Sequence, residues 1–246
     1  MSGHSKWSTI KRKKGAADQK RSKIFSRIIK EISVAVKEGG ADPDGNPRLR
    51  LALNNARGAN MPKENIQRAL TKAKDTEALN EITYEGYALN GIAIFIECMT
   101  DNPQRTLSNI RSIFNKRGGG LSTNGSVAFI FDRKGIIRIP KGGFDADELQ
   151  LEIIDAGMEE FEEQEDVFVI TTPLEGFVPV QKRLEELKIE VENAELQRIP
   201  LETKTIDAEA GVKVLKIVEL FEEDDDVQNV FHNLEITDEI IEKMEL

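Results

Sequence analysis

The chain is poor in the residues on which most enzymes and secreted proteins depend. Its 246 residues include one cysteine, two histidines, one tryptophan and two tyrosines. A single thiol, Cys98, can form no internal disulfide. It lies in the apolar run 92–99 with no adjacent base or cation to activate it, and reads as a buried structural thiol in a reducing compartment. His4 and His232 stand far apart without a matching Cys/His set, so no zinc site and no Ser-His-Asp or Cys-His nucleophile is indicated. Long apolar runs are missing as well. No stretch reaches the roughly 18–20 residues of a membrane helix, and the N-terminus has no secretory apolar core. The reading is a cytoplasmic protein with no membrane partner.

Motifs that mark cofactor or metal chemistry also fail on inspection. Gly118-Gly119-Gly120 follows a helical pattern, whereas a phosphate-cradling loop precedes its helix and carries Gly-Lys-Ser/Thr. Asp42, Asp44 and Gly45 suggest a calcium loop until its sixth and twelfth positions are read, where Pro47 and Leu53 stand in place of Gly and Glu. The carboxylate runs at 159–166 and 222–226 have no ligand spacing and read as solvated faces. No catalytic residue, metal ligand or cofactor is expected, and the protein is read as not an enzyme.

What the chain does have is charge, sorted by sign. There are 34 Lys and Arg against 44 Asp and Glu, a net of −10. Residues 1–76 hold 18 basic and 7 acidic residues, a net of +11, and the remainder holds 16 basic and 37 acidic, a net of −21. Segregation on this scale assigns one part to a polyanion and keeps the rest soluble and repelled from it.

The spacing predicts a helix over 16–37, with Ile24, Phe25, Ile28, Ile29, Ile32, Ala35 and Val36 on one stripe and Lys20, Lys23, Arg27, Lys30 and Lys37 on the other face. Gly39-Gly40 ends it, and Asn46-Pro47 caps a second helix with Arg48, Arg50 and Arg57 outside. Pro62 opens a third helix. From about 77 the pattern becomes α+β, with strands over 81–89 and 91–100 joined at Asn90-Gly91, a helix over 106–116 and a strand over 126–131 with Val127, Phe129 and Phe131 on one face. Residues 134–205 follow the order β-α-β-β-α-β of a ferredoxin-like unit, and 208–221 and 227–234 supply a further helix and strand. The expected architecture is an α+β multidomain chain: a basic three-helix N-terminal domain (1–76), a middle α+β sheet domain (77–133 with 206–246), and an inserted acidic ferredoxin-like domain (134–205).

Nucleic-acid affinity comes mainly from Lys and Arg neutralising phosphates, and an aromatic adds base stacking. The candidate contacts are therefore Lys6, Trp7, Lys11, Arg12, Lys13 and Lys14 in the N-terminal arm, Lys20, Arg21, Lys23, Arg27 and Lys30 on the first helix, Arg48, Arg50 and Arg57 on the second, and Met61 and Lys63 in the loop before the third. No zinc finger, RNP motif or recognition helix chooses between DNA and RNA. Rival readings are a hydrolase or transferase using carboxylates of the acidic domains, and a protein scaffold.

Several segments resemble the YebC family, which includes the mitochondrial translational activator of cytochrome oxidase. They are Gly3-His4-Ser5-Lys6-Trp7, Lys20-Arg21-Ser22-Lys23-Ile24-Phe25, the run from Asp42 to Arg50, Ala59-Asn60-Met61-Pro62-Lys63, Tyr84-Glu85-Gly86-Tyr87, the run from Glu97 to Asn102, and the run from Gly125 to Phe131. The resemblance runs nearly end to end. It implies a three-domain cytoplasmic protein whose relatives act as DNA-binding transcriptional regulators or as ribosome-associated translation factors that ease synthesis through proline-rich stretches. Arg12 departs from a His common in relatives, and Ala88-Leu89-Asn90 from a Gly-Pro-rich loop. The partners so implied are DNA or ribosomal RNA, the ribosome, and a protein bound by the acidic domains.

Overall fold

The computed structural model describes residues 17–75 and 77–245, and side chains over 21–75 and 77–244. Among them are eight α-helices and two four-stranded sheets. The chain divides into two compact units. One comprises Glu77–Asp132 and Ile199–Leu246 with the first helix up to Lys23, and the other comprises Ile24–Thr76 and Arg133–Arg198.

The first unit is built on a sheet of order β3-β1-β2-β8, from β1 (Asn80–Tyr87), β2 (Ala93–Thr100), β3 (Gly120–Ser122) and β8 (Val227–His232). β1 and β2 form an antiparallel hairpin from Asn80↔Thr100 to Tyr87↔Ala93. Asn90 and Gly91 at its tip have φ of 56° and 69°, the paired positive values a type I′ turn demands. β2 is buried on both faces. Ile94, Ile96 and Cys98 pack with Ile110 and Phe114 of α4 (Pro103–Lys116) and with Val214, Leu215, Val218 and Phe221 of α7 (Ala208–Glu223). Ala93 and Phe95 pack on the opposite face with Val127, Phe131 and Phe231. A strand covered on both sides needs no polar alternation, which is why 92–99 is apolar at every position but Glu97. The chain ends in α8 (Asp238–Glu245), whose Ile240 closes the first of these cores.

The second unit contains three helices and a sheet of order β5-β6-β4-β7. The helices are α1 (Ala17–Gly39), α2 (Pro47–Gly58) and α3 (Lys63–Asp75). Ile32, Ala35, Leu49, Ala52, Leu53, Ala69 and Ala73 form their common core. Asn46 organises the corner between α1 and α2: its Oδ1 accepts from Leu49 N at 3.0 Å, while its Nδ2 donates to the carbonyls of Ala35 and Gly40 at 2.7 and 2.9 Å. One buried side chain thus caps one helix and satisfies the end of another. The sheet is formed by β4 (Phe131–Pro140), β5 (Glu160–Glu163), β6 (Val167–Pro173) and β7 (Asn193–Pro200), with α5 (Ala146–Ile154) and α6 (Phe177–Glu186) between strands. Ile137, Ile139, Phe168 and Ile170 meet Leu149, Ile153, Phe177, Val180 and Leu184.

Two expectations are corrected. Residues 126–131 are not a strand: Ala128–Ile130 is a 3-10 turn, and β4 begins at Phe131. The reason lies forty residues upstream. The buried Glu85 carboxylate accepts from the amides of Gly125, Val127 and Ala128 at 2.7, 2.7 and 3.0 Å, which removes them from ladder pairing. Phe129, expected inward beside Val127 and Phe131, is consequently 71% exposed. The apolar stripe of α1 is also only partly buried. Ile24 is 47% exposed because it precedes Ile28, the first α1 residue to meet the three-helix core, and Ile29 is exposed as well.

Candidate nucleic-acid interface

The start of α1 precedes Ile28, the first residue that packs on the three-helix core. Arg21 is exposed there, and Lys23, Arg27 and Lys30 are half-buried along the next two turns. The Lys23 ammonium donates to the Glu222 carbonyl at 3.0 Å. Lys6, Trp7, Lys11, Arg12, Lys13 and Lys14 lie outside the described residues, as does the side chain of Lys20.

On α2 the expected cations divide differently. Arg48 is held by two carboxylates of α1, with Nη2 3.2 Å from Glu31 and Nη1 2.8 Å from Glu38. Arg50 closes the preceding turn, donating to the carbonyls of Pro43 at 3.1 Å and Asp44 at 2.8 Å. Arg57 is exposed and donates to Asn54 Oδ1 at 2.9 Å. The expectation that Arg48 is offered outward is therefore corrected, since it is fastened to α1, whereas Arg50 remains exposed. Met61 is corrected too. It is 5% exposed, drawn in by the bond from its amide to the Ala56 carbonyl at 2.9 Å while Asn60 adopts φ of 54°. Lys63 is exposed at the start of α3.

Three further exposed cations, Arg68, Lys72 and Lys74, lie along α3. Their signal in the sequence is the four-residue step from Arg68 to Lys72, which places both on one side of a helix.

The most buried carboxylates of the other unit are consumed internally. Glu85 holds three amides, as described. Asp226 accepts from Arg105 Nη2 and from Thr106 Oγ1, each at 2.8 Å, and Thr106 bonds Thr100 Oγ1 at 2.8 Å. The Arg105 guanidinium is held above its ordinary range by its bonds to Asp226 and then Asp101. Burial pushes the Tyr84 phenol up, with Cys98 and Asp226 adding to it. This arrangement ties α4 to β2 and β8 and leaves these groups engaged with one another. Among the described residues, no group of three or more His, Cys, Asp or Glu is placed to hold a metal ion.

A basic helical segment followed by acidic α+β elements finds its match among known proteins. Residues 5–76 match the model described as "TACO1/YebC protein N-terminal domain", and residues 79–234 match "TACO1/YebC second and third domain". The chain belongs to the TACO1/YebC family. A "Probable transcriptional regulatory protein" of Chlorobaculum parvum is 46% identical over 249 aligned positions, covering 100% of this chain and 99% of the relative. One of the same name from Geotalea uraniireducens is 46% identical over 247, covering 99% and 100%. The crystal structure of the conserved hypothetical protein Aq1575 from Aquifex aeolicus matches with a TM-score of 0.81 at 41% identity, covering 92% of this chain and 94% of that one. The likeness to the solved structure extends to the α+β fold.

Proposed function

We propose that this TACO1/YebC family member is a DNA-binding transcriptional regulator that grips the phosphate backbone through its N-terminal segment. The observation that carries the reading is the charge of residues 1–76, a net of +11 in a chain of net −10. The cations of α1 and α3 that stand outside the three-helix core extend this field in space, and the names of the relatives support a regulatory role. In this reading 1–76 is the binding domain. The segments 77–133 with 206–246, and 134–205, are acidic domains that do not touch the polyanion. The protein is cytoplasmic and performs no catalysis.

Affinity for duplex DNA and for structured ribosomal RNA, measured by fluorescence anisotropy across a salt series, tests this. Replacing Lys11, Arg12, Lys13 and Lys14 together by Ala lowers affinity and flattens the plot of log K against log salt by about 3 to 4 on DNA, since each neutralised phosphate contributes roughly 0.9. An unchanged affinity and slope removes the arm from the mechanism. Tighter binding to ribosomal RNA than to duplex DNA at equal salt transfers the function to ribosome-associated translation.

A further inference from the structure

The charge of residues 77–246 is not uniform. Residues 102–131 hold Arg105, Arg111, Lys116 and Arg117 and no Asp or Glu, a net of +4 inside a portion whose net is −21. Arg105 is tied to Asp226, whereas Arg111, Lys116 and Arg117 are exposed. Lys116 and Arg117 stand at the end of α4, from which the chain passes through Gly118 and Gly119 into β3, the edge strand of its sheet. The loop that leaves β3 carries Phe129.

That loop is fastened along its backbone. The Glu85 carboxylate accepts from the amides of Gly125, Val127 and Ala128, the Tyr87 hydroxyl donates to the Ser126 carbonyl at 3.1 Å, and the Ile130 carbonyl accepts from the Leu201 amide at 2.9 Å. Five of the six residues 125–130 are thus tied down, and the sixth is Phe129, which is 71% exposed. An aromatic held out on a backbone this constrained loses little freedom when a partner covers it.

We propose that this edge of the sheet binds a single-stranded stretch of nucleic acid, with an unpaired nucleobase stacked on Phe129 and neighbouring phosphates neutralised by Lys116 and Arg117. The proposal goes beyond the phosphate grip of 1–76, and it narrows the exclusion of nucleic acid from the acidic domains to the rest of their surface. An exposed aromatic beside exposed cations is the combination by which single strands are held, the ring taking a base of any identity and the cations following the backbone. A protein partner would call for a contiguous apolar patch, but the loop before Phe129 is polar, with Thr123 and Asn124 exposed. A duplex or an anionic membrane is broad enough to meet the surrounding carboxylates and be repelled. A single strand is narrow enough to reach one basic edge.

The test is fluorescence anisotropy of the full chain with labelled oligodeoxyadenylate and oligoriboadenylate of about twelve nucleotides, within the span of such sites. An abasic DNA strand of the same length and a DNA duplex are the controls. Phe129→Ala weakens binding of a base-bearing strand about tenfold, the scale of one stacked base. It leaves the salt slope at the wild-type value, because no cation is removed. Phe129→Trp restores the affinity, and wild type and Phe129→Ala bind the abasic strand and the duplex equally. The double variant Lys116→Ala, Arg117→Ala flattens the slope on single strands by up to about 1.4, roughly 0.7 for each phosphate. A loss confined to the deoxy or to the ribo strand supports the site and assigns it to that source. Equal affinity of wild type and Phe129→Ala for both base-bearing strands overturns the proposal, as does an equal loss on the abasic strand. Phosphatidylserine vesicles that co-sediment with wild type but not with Phe129→Ala, at unchanged oligonucleotide affinity, overturn it in favour of a membrane. The arm variant at 11–14 is read on duplex and Phe129→Ala on single strands, so failure of either reading leaves the other standing.

Discussion

The helical segment and the β-α-β-β-α-β segment share a compact unit and carry opposite charge. Residues 17–75 hold 13 basic and 7 acidic residues, whereas 133–198 hold 8 basic and 17 acidic. Oppositely charged surfaces often join by pairing charges, which would spend the field of each on the other. Three contacts between them are neutral. Asn55 of α2 exchanges two hydrogen bonds with the backbone of Ala194, its Nδ2 donating to the carbonyl and its Oδ1 accepting from the amide, each at 2.8 Å. Gly58 lies against the carbonyl of Glu192, and Leu51 packs on the apolar core of the acidic segment. Backbone pairing and apolar contact thus join two segments of opposite net charge.

The sharpest way to break this arrangement is at Gly58. A Cβ there would sit 1.8 Å from the Glu192 carbonyl oxygen and 2.6 Å from its carbon, and backbone cannot step aside as a flexible side chain can. Gly58→Ala is expected to cost about 3 kcal/mol. It appears as a lower urea midpoint followed by far-UV circular dichroism, and an unchanged midpoint would show that the close approach contributes nothing to the unit. Asn55→Ala comes next. It strips the Ala194 amide and carbonyl of their side-chain partner, for a loss of about 1 to 3 kcal/mol by the same measurement. In both variants the salt dependence of nucleic-acid binding should stay that of the wild type, because neither touches a cation.

Those two positions also mark the limit of what the sequence disclosed. Features decided by local chemistry were legible: the end of α1 at Gly39-Gly40, the start of α2 at Asn46-Pro47, the turn at Asn90-Gly91 and the alternation of strands and helices over 134–205 all follow from residues within a few positions. Features decided at a distance were not. Nothing within 126–131 announces that Glu85 will claim its amides, and β3 is too short for any pattern to register. Gly58 looks like an ordinary helix end until Glu192 is set beside it. The candidate interface divides along the same line. A net of +11 over 1–76 shows in composition. A cation on a helix reads the same whether its partner is a phosphate or a carboxylate of its own chain, however, and only the structure assigns Arg48 to Glu31 and Glu38.

That assignment yields the finest of the tests, a contrast among cations of the basic segment. Arg48 spans two carboxylates at the surface, and half-exposed pairs of this sort contribute little, so Arg48→Ala should lower stability by no more than about 0.5 kcal/mol. Because its guanidinium is occupied within the segment, affinity for DNA and the salt slope should not change. Lys63 and Arg68 of α3 are exposed instead. Their double replacement by Ala should leave stability alone and flatten the slope by up to about 2. A flatter slope for Arg48→Ala would mean that its pairs with Glu31 and Glu38 open to release the guanidinium to a phosphate. The carboxylates of α1 would then act as a gate on binding, since each must give up its arginine before the phosphate can take it.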